Sequence, residues 1–156
     1  IIAIDPLEHR LSLARQYGAS ETIIPRDDSS SVVAEVIRRT DGRGVDVAIE
    51  ATSNSAVPLQ AVDIAALGAR IALIGITDET DVTLPTHVAR RKGLTVRFVR
   101  RSKLSVYAAM GLVTSGKIPV GGLVTHHFPL ADVQRGFELV ESYSDNVFKA
   151  VVLPNE

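Results

Sequence analysis

Residues 1–19, IIAIDPLEHRLSLARQYGA, carry the plainest structural signal in the chain. Residues 1–5 form a short, apolar, β-branched run, the pattern of a buried strand, and the run ends on a carboxylate, Asp5. Pro6 then reads as the first turn of a helix, where its missing N–H costs nothing. Leu7, Leu11 and Ala14 keep one face of that helix apolar, and Gly18 marks its stop. A buried strand passing straight into an amphipathic helix is half of a βαβ unit.

The same alternation continues along the chain. ETIIP (21–25) predicts a second strand, and the polar residues Asp27 to Ser31 form a loop able to cap the next helix. Val33, Val36 and Ile37 give that helix a buried stripe, and Asp41-Gly42-Arg43-Gly44 breaks it. VDVAIE (45–50) predicts a third strand with Val45, Val47 and Ile49 as its apolar positions. Leu59, Val62 and Ala66 line another helix ending at Gly68. ARIALIG (69–75) predicts a fourth strand, and LTVRFV (94–99) a fifth that alternates as an edge strand does. Val106, Met110 and Val113 mark one further helix, and Val133, Phe137 and Val140 another. KAVVLP (149–154) closes the series as a short strand. Strands separated by helices imply right-handed crossovers and an α/β fold, doubly wound around a mostly parallel sheet.

Composition narrows the function classes. The 156 residues are 46% hydrophobic and 22% charged, and 17 Lys and Arg face 18 Asp and Glu, a formal net charge of −1. That balance gives no electrostatic reason to expect nucleic acid or an anionic membrane as a partner. There is no cysteine, which removes disulfides and thiolate ligands. His9, His87, His126 and His127 lack HExxH or HxH spacing, and no GxSxG elbow supports a serine nucleophile. His126 and His127, being adjacent, would point to opposite faces of an extended segment. The chain opens on a strand residue with no basic leader, so it is read as starting inside a domain, and a cytoplasmic location is expected.

In a doubly wound sheet, ligands bind beyond the carboxyl ends of the strands. Asp5 at such an end can accept hydrogen bonds from the vicinal hydroxyls of a ribose and repel a 2′-phosphate. It can equally cap the following helix. Arg10, five residues on, can stack on an adenine or stand in solvent. Gly75 permits the close approach of a planar ring or a backbone carbonyl, or simply makes a turn. Arg100 and Arg101, after the edge strand, can hold a substrate oxygen or guard the edge against pairing.

Taken together, IIAIDPLEHRLSLARQYGA, GRGVDVAIEATSNSA and LGARIALIG resemble the coenzyme domain of the medium-chain, zinc-type alcohol dehydrogenases. RRKGLTVRFVRRSK and GLVTHHFPLADVQRGFELV are similar to the polyol branch, the sorbitol or L-iditol type. The resemblance implies a partial NAD-binding, Rossmann-like domain over residues 1–116. Residues 117–156 would return to a catalytic domain outside this sequence. It implies that Asp5 binds ribose and that Arg10 lies at the adenosine end. Ile74, Gly75 and Ile76 would lie beside the nicotinamide. Val99, Arg100 and Arg101 would form a second cofactor-contacting segment, with Arg101 also reaching the substrate. Glu50 and Thr52 match a Glu-x-Thr/Ser-Gly turn, except that Ser53 replaces the glycine.

The implied reaction is hydride transfer between NAD and a polyol or other secondary alcohol in a homo-oligomer, with zinc held by residues outside this chain. The alternatives are a zinc-free quinone reductase of the same superfamily and a nucleotide-binding domain of the S-adenosylmethionine-dependent methyltransferase kind. No GxGxxG phosphate loop occurs here; it would precede Ile1. In the strand order 3-2-1-4-5-6, the strand before that loop lies between the 1–5 and 45–50 strands, which are therefore expected to lack a shared neighbour.

Overall fold

A computed structural model describes residues 1–26, 29–100, 102 and 105–155. These form two compact units, residues 1–101 and 102–156.

In the first unit, β1 (Ile2–Ile4) leads through α1 (Glu8–Gln16) to β2 (Glu21–Ile23), and the two strands pair in parallel, Ile2 opposite Glu21. α2 (Ser29–Arg39) crosses to β3 (Val45–Glu50), followed by α3 (Val57–Ile64), β4 (Ala65–Leu73), α4 (Thr86–Lys92) and β5 (Thr95–Phe98). These last three strands form a parallel sheet in the order β3-β4-β5, so β5 is the edge its alternation predicts. β1-β2 and β3-β4-β5 are separate sheets. This is the separation that the strand-order argument implies.

The side chains explain several departures from the sequence pattern. Pro6 lies before α1, whose N-cap is Leu7, because the Asp5 carboxylate turns back to accept the Leu7 N–H at 2.8 Å. Leu11 is buried under α1, and Gly18 ends it with φ +100° and an N–H donated to the Arg15 carbonyl. β1 is only half-buried, and Ile4 is exposed. The buried stripe of α2 is Val32 and Val36, packed on Ile23, with Val33 and Ile37 to either side. The segment expected to cap α2 includes Asp27 and Asp28, which lie outside the described residues.

β3 reverses the expected faces. Ala48 and Glu50 point into the core, whereas Val47 and Ile49 are 46% and 67% exposed. The core beneath Ala48 joins Ala61, Val62, Ala65, Ala69, Ile71 and Leu73, with Val88 and Ala89 of α4 against it. Small alanines there let α3 approach the sheet closely, and the larger Val47 and Ile49 lie on its other face.

α3 also stops earlier than its pattern suggests, at Ile64, and Ala66 is already in β4. Val45 pairs with Ala65 but Val47 pairs with Arg70, so β4 carries a bulge at Ala66–Ala69. Gly68, at φ +72°, supplies the left-handed turn within that bulge and does not end a helix. The alanine-rich stretch has high helix propensity, and pairing with β3 overrides it.

Glu35 of α2 accepts hydrogen bonds from Arg38 at 2.9 and 2.8 Å and from Arg39 at 2.7 Å. Arg38 first, then Arg39, holds its carboxyl down to about 2 from an ordinary 4.5. Because the folded value is depressed, the stabilisation is complete above pH 4.5 and is lost as pH falls towards 2. In urea titrations of the full-length protein, Glu35→Gln should be less stable than the native protein at neutral pH, with the difference vanishing across that window. A difference independent of pH would contradict the assignment.

The second unit contains α5 (Ser105–Thr114), β6 (His126–Pro129), α6 (Val133–Glu141) and β7 (Ala150–Leu153), with β6 and β7 parallel. His126 and Phe128 are half-buried while His127 is exposed, as opposite faces require. The stripe Val106, Met110 and Val113 is exposed, and so are Phe137 and Val140. α6 instead packs through Gly136, whose bare Cα admits the Phe128 ring; a Cβ there would lie 3.2 Å from Phe128 Cδ2. No helix among the described residues is long and apolar enough to cross a membrane.

Candidate functional site

The carboxyl ends of the parallel strands bring together two groups of the residues singled out above. The first is at the end of β1. Asp5 donates its own N–H to the Ile23 carbonyl at 3.2 Å, continuing the ladder one residue past the strand. Its Oδ1 accepts the Leu7 N–H, and its Oδ2 lies 3.7 Å from Arg10 Nη1, with the two side chains 27% and 32% exposed. A carboxylate has about four acceptor sites, so this arrangement leaves capacity on the exposed side for two further donors. The turn through Leu7 fixes the carboxylate, and Arg10 supplies a cation beside it. Asp5 therefore serves the turn into α1 without being its N-cap, and Arg10 pairs with Asp5 where the sequence reading had it either stacked or solvated.

The second group is at the ends of β3 and β4. Glu50 is only 4% exposed, the one buried charged residue among those described. Its Oε1 accepts the Thr52 N–H at 2.6 Å and the Thr52 hydroxyl at 2.9 Å. Its Oε2 accepts the Gly75 N–H at 3.1 Å. Its backbone carbonyl takes the Ile74 N–H at 2.8 Å and that of Gly75 at 3.3 Å. Gly75 is glycine for a spatial reason: a Cβ would overlap the Thr52 carbonyl and lie 2.5 and 2.7 Å from the two Glu50 oxygens. The backbone-approach reading of Gly75 is thus the one the geometry supplies. Thr52 and Glu50 keep this turn although Ser53 replaces glycine.

Ile74 and Ile76 flank Gly75 and are 44% and 72% exposed, offering apolar surface at the strand end. Val99 donates its N–H to the Leu73 carbonyl at 2.9 Å, which carries the β5 pairing past Phe98 and places Val99 beside the end of β4. Arg100 follows it, exposed. Arg101 lies outside the described residues. The importance of Glu50 was only partly visible in the sequence: an acid ending an apolar strand is a signal, but its bond to Gly75 spans 25 positions.

A cleft of about 570 Å³ lies around β2 and the segment after it, lined by Glu8, Arg15, Thr22, Ile24, Arg26, Glu35 and Arg39. Its charges pair with one another: Arg15 with Glu8 at 2.7 Å, Arg39 with Glu35 and with Glu21 at 3.0 Å. Arg39 also caps the Thr22 carbonyl of β2 at 3.2 Å, and Arg15 holds the Thr22 hydroxyl at 2.6 Å. Most of the charges lining this cleft are thus engaged with one another. Among the described residues no three His, Cys, Asp or Glu side chains converge as metal ligands.

The described residues fit a nicotinamide dinucleotide at these ends. A part-exposed carboxylate with spare acceptor sites suits a ribose diol, and a glycine flanked by exposed isoleucines suits a flat ring.

Residues 1–115 match the family described as zinc-binding dehydrogenase. The chain is 32% identical to an alcohol dehydrogenase of Cupriavidus necator, over 99% of the chain and 43% of that protein. It is 32% identical to an L-threonine 3-dehydrogenase of Bacillus subtilis (91% and 41%) and 30% identical to an erythritol/L-threitol dehydrogenase of Mycolicibacterium smegmatis (99% and 42%). The structure superposes with a TM-score of 0.86 on an alcohol dehydrogenase from Thermus sp. ATN1, at 27% identity over 98% of the chain and 43% of that structure. It superposes with 0.84 on 2R,3R-butanediol dehydrogenase from Bacillus subtilis, at 28% identity over 99% and 44%. The chain thus spans about two fifths of the length of the relatives it matches.

Proposed function

Because this chain belongs to the zinc-binding dehydrogenase family of the medium-chain alcohol dehydrogenase superfamily, we propose that it holds the nucleotide in an NAD-linked oxidation of a secondary alcohol to a ketone. The observation that carries this reading is the Asp5 carboxylate, fixed by Leu7 at the end of β1 with acceptor capacity to spare. In the proposal, Asp5 receives the hydroxyls of the adenosine ribose and Arg10 lies against the adenosine end. Ile74, Gly75 and Ile76 face the nicotinamide half, with Val99 and Arg100 beside them. Arg101 is assigned to cofactor and substrate by family resemblance alone. Residues 1–116 act as the dinucleotide-binding part, and 117–156 return to a catalytic part.

A bound NAD would supply the acceptor for a hydride from the alcohol carbon, with the hydroxyl proton passing to solvent or a base. Zinc belongs to the proposal for the full-length protein; the described residues here do not assemble a site for it.

A polyol is the preferred substrate class, supported by the likeness to the erythritol/L-threitol and butanediol enzymes. Likeness to the threonine enzyme favours a second reading, a hydroxy amino acid. Both substrates present a secondary hydroxyl.

The full-length protein should reduce NAD in the presence of a polyol panel, and a chelator should abolish the activity. Faster turnover of L-threonine than of any polyol would select the second reading. Calorimetry that detects S-adenosylmethionine but no nicotinamide dinucleotide would overturn both.

A further inference from the structure

We infer that Glu50 is a positioning residue for the nicotinamide half of the cofactor. It acts through the backbone it holds and does not touch the dinucleotide. The inference rests on the proposed function above and goes beyond it by assigning the two halves of the dinucleotide to separate devices.

Burying a carboxylate is unfavourable unless its oxygens are fully hydrogen-bonded. Here three donors satisfy it, and they come from two different strand ends. Thr52 follows β3, and Gly75 follows β4. One side chain therefore fixes how the loop after β3 meets the loop after β4. The contact is too tight for any side chain at position 75, since a Cβ there would overlap the Thr52 carbonyl. The three donors are neutral, and no ion pair to Glu50 occurs among the described residues. The arrangement thus aims backbone groups, with no cation to neutralise the charge.

What it aims lies where ligands of a doubly wound sheet bind, beyond the strand carboxyl ends. Ile74 and Ile76 inherit their placement from Gly75, and both are exposed apolar residues of this end. Asp5 stands on the other sheet, fixed by its own turn through Leu7. The two devices share no hydrogen-bonding group that the structure shows, so loosening one should spare the other.

Glu50→Gln retains the size of the side chain but sets an NH₂ against either the Gly75 N–H or the Thr52 donors. Two ligands separate the halves: NADH, and ADP-ribose, which lacks the nicotinamide. In the full-length protein, the Glu50→Gln Kd for NADH should rise on the order of tenfold, the equivalent of one lost charge-assisted bond, while that for ADP-ribose stays within about twofold. The KM for NAD should rise with the NADH Kd, and kcat should change less.

Thr52→Val, which removes only the hydroxyl donor, provides a milder variant should Glu50→Gln fold poorly. It should weaken NADH about threefold and leave ADP-ribose unchanged. Equal weakening of both ligands, or unchanged NADH affinity in folded variants, would show that Glu50 serves stability alone and overturn the inference. A native protein that binds neither ligand would overturn the proposed function itself, an outcome distinguishable because it precedes any substitution.

Discussion

Lys92→Met is expected to lower the stability of the full-length protein by about 3 kcal/mol, the largest loss expected from any single solvent-edge side chain here. Lys92, at the end of α4, reaches across to the end of α3. Its ammonium donates to the carbonyls of Val62 at 3.0 Å, Asp63 at 2.8 Å and Ala65 at 2.9 Å. The last carbonyls of a helix have no partner within it, and α3 passes directly into β4 with no capping turn of its own. A cation at this terminus also meets the negative end of the helix dipole.

Val62 and Ala65 are almost fully buried, so water replaces the lost donors poorly. A buried acceptor left unpaired costs roughly 1–3 kcal/mol, and partial solvation of the Asp63 carbonyl keeps the total near the lower end of the summed range. Methionine preserves the apolar stem, which isolates the ammonium as the cause. Urea unfolding should show a lower midpoint at an unchanged slope. A loss below about 1 kcal/mol would mean that the three carbonyls are served by water, and that Lys92 is only a surface charge.

Much of the first unit is legible in the sequence because its strands are β-branched runs bounded by Gly, Pro or acids. IIAID, ETIIP, VDVAIE and LTVRFV all appear as strands in their expected order, and β5 is the edge. The misreadings have a common origin in contacts between distant residues. Nothing within VDVAIE says that Ala48 and Glu50 will face the core while Val47 and Ile49 do not; that depends on the alanines of α3 and β4. The bulge at Gly68 needs the register of β3 to be seen. In the second unit, Phe137 has the spacing of a core residue, yet the helix turns Gly136 to the strand.

The site divides in the same way. Asp5 was visible because a carboxylate closing an apolar strand is a local feature, and its turn through Leu7 is two residues long. The work of Glu50 was not, because its second oxygen is satisfied from the neighbouring strand. Gly75 reads in the sequence as allowing a ring or a backbone carbonyl close; that the close group is the Thr52 carbonyl, 23 positions away, needs the structure to be seen.

The second large effect is expected at Asp5. Two hydroxyls donated to one carboxylate are charge-assisted bonds of about 1.5–3 kcal/mol each, and removing the carboxylate forfeits part of both. Asp5→Gly in the full-length protein should therefore raise the Kd for NAD by about 10- to 100-fold. The same change removes the negative charge that opposes a 2′-phosphate and keeps the positive charge of Arg10, 3.7 Å from Asp5 Oδ2, at this end. NADP should bind no worse than before, and the preference should collapse or invert. Asp5→Asn keeps an oxygen for the Leu7 N–H while removing the charge, and so separates the turn from the ribose contact.

The most direct measurement is the ratio of the NADP and NAD dissociation constants, by calorimetry, for the native full-length protein and for Asp5→Gly. The account predicts a ratio well above one in the native protein that falls at least about tenfold in the variant. A ratio that Asp5→Gly leaves unchanged, with NAD still bound, would contradict it.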